Sequence, residues 1–262
     1  ESEMKCFNHL NGQHLQIEDA RIYFETAGNP NGQPLLLLHG GLGSIIDFNG
    51  ILERLPSQFS FIGIDLRGHG RSTTGSARLS YARYQSDVEA VLTYLNISSV
   101  SIIGFSDGGI VGYRMAAEEN SKVQKLVTLG AQWRLKEDDP SFSMLAGLTA
   151  DMWMEMFPDS VRYYEKVNPN PDFNALVEKV VGLWTDLGPT GYPGEAVQII
   201  KCPLLIVRGD DDELLSLREA GELRSLVKGS GLLNIPFAGH EVHKDSPDIF
   251  AIAADDFLTQ PR

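Results

Sequence analysis

The sequence predicts an α/β chain: a mostly parallel eight-stranded sheet with helices on both faces and an inserted helical lid. Three observations carry this. Short apolar runs lack polar alternation, residues 35–38 being the purest, as expected of strands buried on both faces. Stretches with apolar residues at helical spacing separate these runs. Between residues 134 and 200 the alternation stops and Met and aromatic residues gather among Pro and Gly breaks.

Taken in order, residues 14–17 and 21–26 read as two strands of a hairpin joined at Glu18, Asp19 and Ala20. Residues 34–38 form a buried strand ending in His39-Gly40-Gly41-Leu42-Gly43. Residues 59–64 form the next, ending at Asp65. Tyr84, Val88, Val91, Leu92 and Leu95 predict a helix over 81–95. A strand over 100–105 runs into Ser106, a helix over 108–117 follows, and 125–129 is again a strand. After the lid, a strand is expected over 203–207, a helix over 214–227, a strand over 231–236 and a closing helix over 246–258. The last has Pro247 and Asp248 in its first turn, a favourable start. These elements divide the chain into a core of residues 1–133 and 201–262 and a lid of residues 134–200. No internal repeat is present.

Lys plus Arg total 22 against 35 Asp plus Glu, a formal net charge of −13. An acidic surface repels phosphate, which argues against nucleic acid and against an anionic membrane as partners. No apolar run approaches a membrane span, and Glu1 to Lys5 lacks the apolar core of a signal peptide. Cys6 and Cys202 are the only cysteines and read as reduced thiols. A cytoplasmic protein acting on a small molecule is expected, and its oligomeric state stays open.

The most informative stretch is Gly104-Phe105-Ser106-Asp107-Gly108-Gly109. It fits Gly-x-Ser-x-Gly between a buried strand and a helix, the context in which a strained turn lifts a serine hydroxyl out of a sheet. The helix start directs N–H groups and a positive dipole end at the same place. A serine needs a base, and His240, after the last strand, overhangs the same sheet edge. His243 is the fallback base, though a surface position suits it better. His9 and His14 precede the sheet proper and read as surface residues, while His39 and His69 brace glycine-rich turns. The acid that orients the base comes from Asp210, Asp211, Asp212 and Glu213, after the strand over 203–207.

With these motifs in place, the chain resembles the α/β-hydrolase fold superfamily in its lid-bearing serine esterase and peptidase-like branch. His39-Gly40-Gly41 resembles the family's oxyanion loop, and Asp65-Leu66-Arg67-Gly68-His69-Gly70-Arg71-Ser72 closely matches its Asp-x-Arg-Gly-x-Gly-x-Ser turn. The chain order Ser, acid, His is the family's. The resemblance selects Asp212 through Gly-x-x-Asp, with Asp210 as the alternative that shapes the turn. It implies Ser106 as nucleophile, His240 as base and Asp212 as orienting acid. It also implies an oxyanion hole of the Asp107 N–H and the Gly41 N–H, with Leu42 the second choice. No Gly-Lys-Ser/Thr follows the glycine loop, so it is no phosphate cradle. Ser106 stands where halide-displacing relatives carry aspartate, and His-Glu-x-x-His is absent. Neither a metal nor a cofactor is implied.

Substrate contacts are expected from Leu42, Asp107, Trp133, Trp153 and Met156, although Met and aromatic residues at helical spacing also serve as packing. The Ser-Asp-Gly-Gly elbow resembles amino-acid-ester hydrolases of the valacyclovir hydrolase type, which would give the Asp107 carboxylate a substrate ammonium to hold. The alternative is that Asp107 caps its own helix or bonds a nearby loop. The function implied is a carboxylesterase that cleaves a small ester, thioester or amide through an acyl-enzyme. Carbon–carbon or enol-lactone hydrolysis, perhydrolysis, or ligand binding for signalling are the alternatives on the same scaffold.

Overall fold

The computed structural model describes residues 6–262; Glu1 to Lys5 lie outside the described residues. The strands are β1 (Gln13–Ile17), β2 (Ala20–Gly28), β3 (Gln33–Leu38), β4 (Phe59–Ile64), β5 (Val100–Phe105), β6 (Val123–Leu129), β7 (Leu204–Gly209) and β8 (Ser230–Ile235). They form one sheet in the order β1-β2-β4-β3-β5-β6-β7-β8. β1 pairs antiparallel with β2, and β2 antiparallel with β4. Every other pair is parallel, with Leu35–Leu38 facing Phe61–Ile64 on one side and Ser101–Gly104 on the other. The unalternating Leu run follows from this position. Leu36 and Leu38 enter one apolar cluster, and Leu35 and Leu37 enter the other.

The helices are α1 (Asn49–Leu52), α2 (Tyr81–Tyr94), α3 (Asp107–Ala116), α4 (Pro140–Ala146), α5 (Ala150–Met156), α6 (Pro158–Val167), α7 (Phe173–Trp184), α8 (Leu217–Leu226), α9 (Val242–Asp245) and α10 (Pro247–Thr259). α2, α3, α7 and α8 bury their apolar faces in the cluster around Leu36, and α1, α9 and α10 in the cluster around Leu35. α4 to α7 occupy the interval between β6 and β7 that lacked a strand–helix rhythm. α2 begins where Ser80 accepts a hydrogen bond from the Arg83 N–H at 3.0 Å, a cap worth about 1 kcal/mol.

The predicted bounds hold to within two residues, with one exception. The helix after β7 starts at Leu217 rather than Leu214, because the Asp212 carboxylate takes the Leu214 and Leu215 N–H groups and holds them in a turn. The short 3-10 and α1 turns over 45–52, and α9, were not predicted, being too brief for a periodic pattern. His9 and His243 are each 1% exposed, not surface residues. His9 is drawn inward by the Asp65 carboxylate, and His243 is packed against the Phe48 and Phe105 rings. His14 is exposed as expected.

Candidate active site

β5 delivers Ser106 with φ of 49° and ψ of −116°, in a region that a residue with a Cβ rarely occupies. The turn is held by the Ser106 N–H on the Leu129 carbonyl at 2.8 Å and the Ile110 N–H on the Ser106 carbonyl at 3.0 Å. Glycine at 108 is a steric requirement, since a Cβ there would lie 2.0 Å from the Leu38 carbonyl oxygen.

The loop after β8 brings His240 over this turn, with Nε2 3.1 Å from the Ser106 Oγ. Nδ1 lies 3.0 Å from Oδ2 and 3.1 Å from Oδ1 of Asp212. An ionised carboxylate only accepts, so the ring carries its proton on Nδ1 and turns the Nε2 lone pair to the serine. Asp212 is itself fixed: its side chain is fully buried, and Oδ1 accepts the Leu214 N–H at 2.8 Å. Arg208 braces the same loop by donating to the Leu215 and Asp212 carbonyls. Asp210 instead accepts from Asn234 at 2.8 Å, and Asp211 is exposed. The structure thus brings together Ser106, His240 and Asp212, and leaves Asp210 to the turn. His243 has neither ring nitrogen bonded, and burial pushes it down to about 3, with Lys244 and His240 adding to the effect.

The loop after β3 lies against the same turn. A Cβ on Gly40 would be 3.4 Å from the Ser106 Cβ. His39 Nε2 accepts the Leu66 N–H at 2.9 Å, so its proton is on Nδ1, which donates to the Gly40 carbonyl at 2.7 Å. In a trans peptide the C=O and N–H point in opposite directions, so this bond aims the Gly41 N–H away from His39. The Leu42 N–H is already committed to His69 Nε2 at 3.0 Å. Its donor is therefore spent, which removes Leu42 from the two donor candidates. His69 stays neutral, pushed down to about 3 by burial and then by the neighbouring His39. As the first residue of α3, Asp107 has an N–H with no intrahelical acceptor.

The Asp107 carboxylate is 2% exposed and neither caps α3 nor meets solvent. It accepts the Tyr81 hydroxyl at 2.7 Å and the Trp184 indole N–H at 2.9 Å. Burial raises its pKa, while the two hydrogen bonds act in the opposite direction. Tyr81 and Trp184 were not singled out in the sequence. They lie 26 and 77 residues from Asp107, and nothing local marks them.

The remaining expected contacts scatter. Leu42 and Gly43 line a cavity of about 320 Å³ with Tyr163 and Tyr164 of α6. Trp133 turns to α8, where its indole N–H donates to the Glu219 carbonyl at 2.9 Å. Trp153 packs on Phe157 with ring centroids 4.7 Å apart, and its N–H is buried without a partner. Met156, expected as a substrate contact, is 54% exposed, so the alternative of core packing does not apply to it. Among the described residues, no group of three or more His, Cys, Asp or Glu is arranged to hold a metal ion, and no helix is long and apolar enough to cross a membrane.

A mixed sheet of this order, with a serine turn after β5 and a histidine after β8, defines an α/β hydrolase. The family model for the alpha/beta hydrolase fold matches residues 33–189, and the chain belongs to that family. It is similar to the serine hydrolase BPHL of Homo sapiens, 28% identical over 93% of this chain and 85% of that one. It is also similar to the bifunctional esterase/perhydrolase DCH of Acinetobacter calcoaceticus, 28% identical over 84% of this chain and 89% of that one. Among solved structures, a hydrolase from Pseudomonas aeruginosa PA01 superposes with a TM-score of 0.80 at 20% identity, covering 97% of this chain and all of that one.

Proposed function

We propose that the protein is a carboxylesterase-type serine hydrolase that cleaves a small carboxylic ester through an acyl-enzyme on Ser106, with residues 134–200 forming a lid beside the substrate. The observation that carries this reading is the continuous hydrogen-bonded line from Ser106 Oγ through His240 to Asp212, at 3.1 and 3.0 Å. The similarity to a protein named as an esterase supports it.

In this reading Ser106 Oγ attacks the ester carbonyl as His240 Nε2 takes its proton. Asp212 keeps the ring oriented and stabilises the imidazolium that forms. The N–H groups of Asp107 and Gly41 hold the oxyanion, a role typically worth 10²–10³ in rate per donor, on the order of 3 kcal/mol. His240 then protonates the leaving alcohol, and the same ring activates the water that releases the acid. Thioesters and amides follow the same course with a different leaving group.

The test is hydrolysis of p-nitrophenyl acetate and butyrate by wild type and by Ser106→Ala. Turnover in the wild type and a loss of about 10³-fold or more in the variant is the expected result. Release undiminished in the variant removes Ser106 from the reaction. A folded wild type that releases no nitrophenol turns the assignment to carbon–carbon or enol-lactone substrates on the same residues.

A further inference from the structure

The cavity beside the oxyanion loop has one wall whose position is set from an unexpected direction. Leu42 and Gly43 form the loop side, and Asp159, Ser160 and Tyr163 of α6 form the opposite side. The Tyr163 hydroxyl is hydrogen bonded to His9 Nδ1. His9 Nε2 in turn meets Asp65 Oδ2 at 2.7 Å. Asp65 closes β4, and its carboxylate also accepts the Ile45 and Arg71 N–H groups at 3.0 and 2.9 Å. That carboxylate only accepts, so His9 Nε2 donates to it and Nδ1 is left to meet the Tyr163 hydroxyl. Burial and then the Asp65 charge hold the Tyr163 hydroxyl up at about 12, so it remains a phenol.

His9 is not loosely placed. Its N–H donates to Glu25 Oε2 at 2.7 Å, and the Asn8 N–H donates to Glu25 Oε1 at 3.0 Å. Tyr23 donates to the same Glu25 at 2.8 Å. The φ of His9 is 57°, a left-handed conformation that persists in a non-glycine residue only when its surroundings over-determine it. A segment ahead of β1 is therefore clamped to the core and reaches α6 through one imidazole. It also lies outside residues 33–189, which match the family model.

We infer that His9 is a positioning residue for the cavity: acting through Tyr163, it fixes the α6 wall and so sets how large a substrate group the cavity admits. The kinetic consequence rests on the ester-hydrolase reading; the structural one does not. The other anchors of α6 lie toward its C-terminal end: Val161 and Tyr164 are buried, the Tyr164 hydroxyl accepts the Asp172 N–H at 3.0 Å, and Asn168 donates to the Gly70 carbonyl at 2.9 Å.

Tyr163→Phe and His9→Phe test this in the full chain, with amide hydrogen exchange read along α6 and KM and kcat read for p-nitrophenyl acetate, butyrate and hexanoate. For Tyr163→Phe, loss of one hydrogen bond predicts exchange faster by about fivefold in α6 with β5 and α3 unchanged. The ratio of hexanoate to acetate KM shifts by a similar factor, about fivefold, with the change on KM rather than kcat. Tyr163→Phe alters a half-exposed side chain, so it keeps the test decisive if His9→Phe does not fold. Unchanged α6 exchange in folded Tyr163→Phe overturns the inference. So does a uniform acceleration across the chain with the KM ratio unmoved. If the wild type hydrolyses none of these esters, the ester reading fails, and exchange in α6 alone still decides whether His9 and Tyr163 hold that wall.

Discussion

Gly41 and Asp107 are in direct contact: a Cβ on Gly41 would fall 2.5 Å from the Asp107 Oδ2 and 2.8 Å from the Trp184 ring. These two residues carry the N–H groups proposed to hold the oxyanion. The carboxylate at their junction also receives Tyr81 of α2 and Trp184 at the end of α7. One buried side chain thereby ties the serine turn, the loop after β3 and the end of α7.

Gly41→Ala is expected to lower kcat on p-nitrophenyl acetate by at least about tenfold, because the added methyl displaces one of the two N–H donors. KM should change less. An unchanged kcat in the folded variant would remove Gly41 from the oxyanion hole.

Asp212→Asn keeps the shape of the acid but not its charge, and its amide can stabilise the other His240 tautomer. A fall in kcat of about 10³- to 10⁴-fold is expected, by analogy with the same change in serine proteases. Asp210→Asn should leave kcat within a few-fold, since Asp210 bonds Asn234 and not His240. Equal losses in both variants would contradict the geometry.

Acid stability follows from two buried imidazoles. His69 and His243 are both held down to about 3, chiefly by burial, whereas an unfolded histidine titrates near 6.5. Below 6.5 the unfolded chain binds more protons, so stability is complete above that pH and falls as pH drops toward 3. Each ring contributes a slope of up to about 1.4 kcal/mol per pH unit. His243→Leu should roughly halve the combined loss between pH 6 and pH 4, measured by urea unfolding. It should change little at pH 7, because neither ring nitrogen has a partner to lose. An identical slope in the variant would refute this.

Arg67 and Asp87 form a bidentate pair at 2.8 and 2.9 Å inside the core. Asp87→Ala strands a buried guanidinium and should cost about 3–5 kcal/mol in chemical unfolding. A cost below about 1 kcal/mol would show the pair to be dispensable.

Much of the site was legible because its parts are local. The strand over 100–105, the glycines flanking Ser106 and the helix behind it are neighbours in the chain, and their turn follows from sterics alone. His240 was legible from its place after the last strand, whereas the residues alone left four acids open and the family resemblance selected Asp212, which sits in a turn over 209–215. The helices between β6 and β7 were legible only as a group. Trp133, in the loop after β6, turned to α8, and Met156 of α5 turned to solvent, because neither a loop position nor a helical stripe says which neighbour a side chain meets.

Burial patterns and backbone sterics act between near neighbours, so the doubly buried strands and the serine turn were readable from the residues, while the order of serine, acid and histidine came from the family resemblance. The direction of each polar group is set by the folded chain. His69 takes the Leu42 N–H, Tyr81 and Trp184 enclose the Asp107 carboxylate, and Asp65 draws His9 inward to Tyr163. A buried donor or acceptor must find a partner, and here those partners come from 26 to 154 residues away, a distance across which no local pattern reaches.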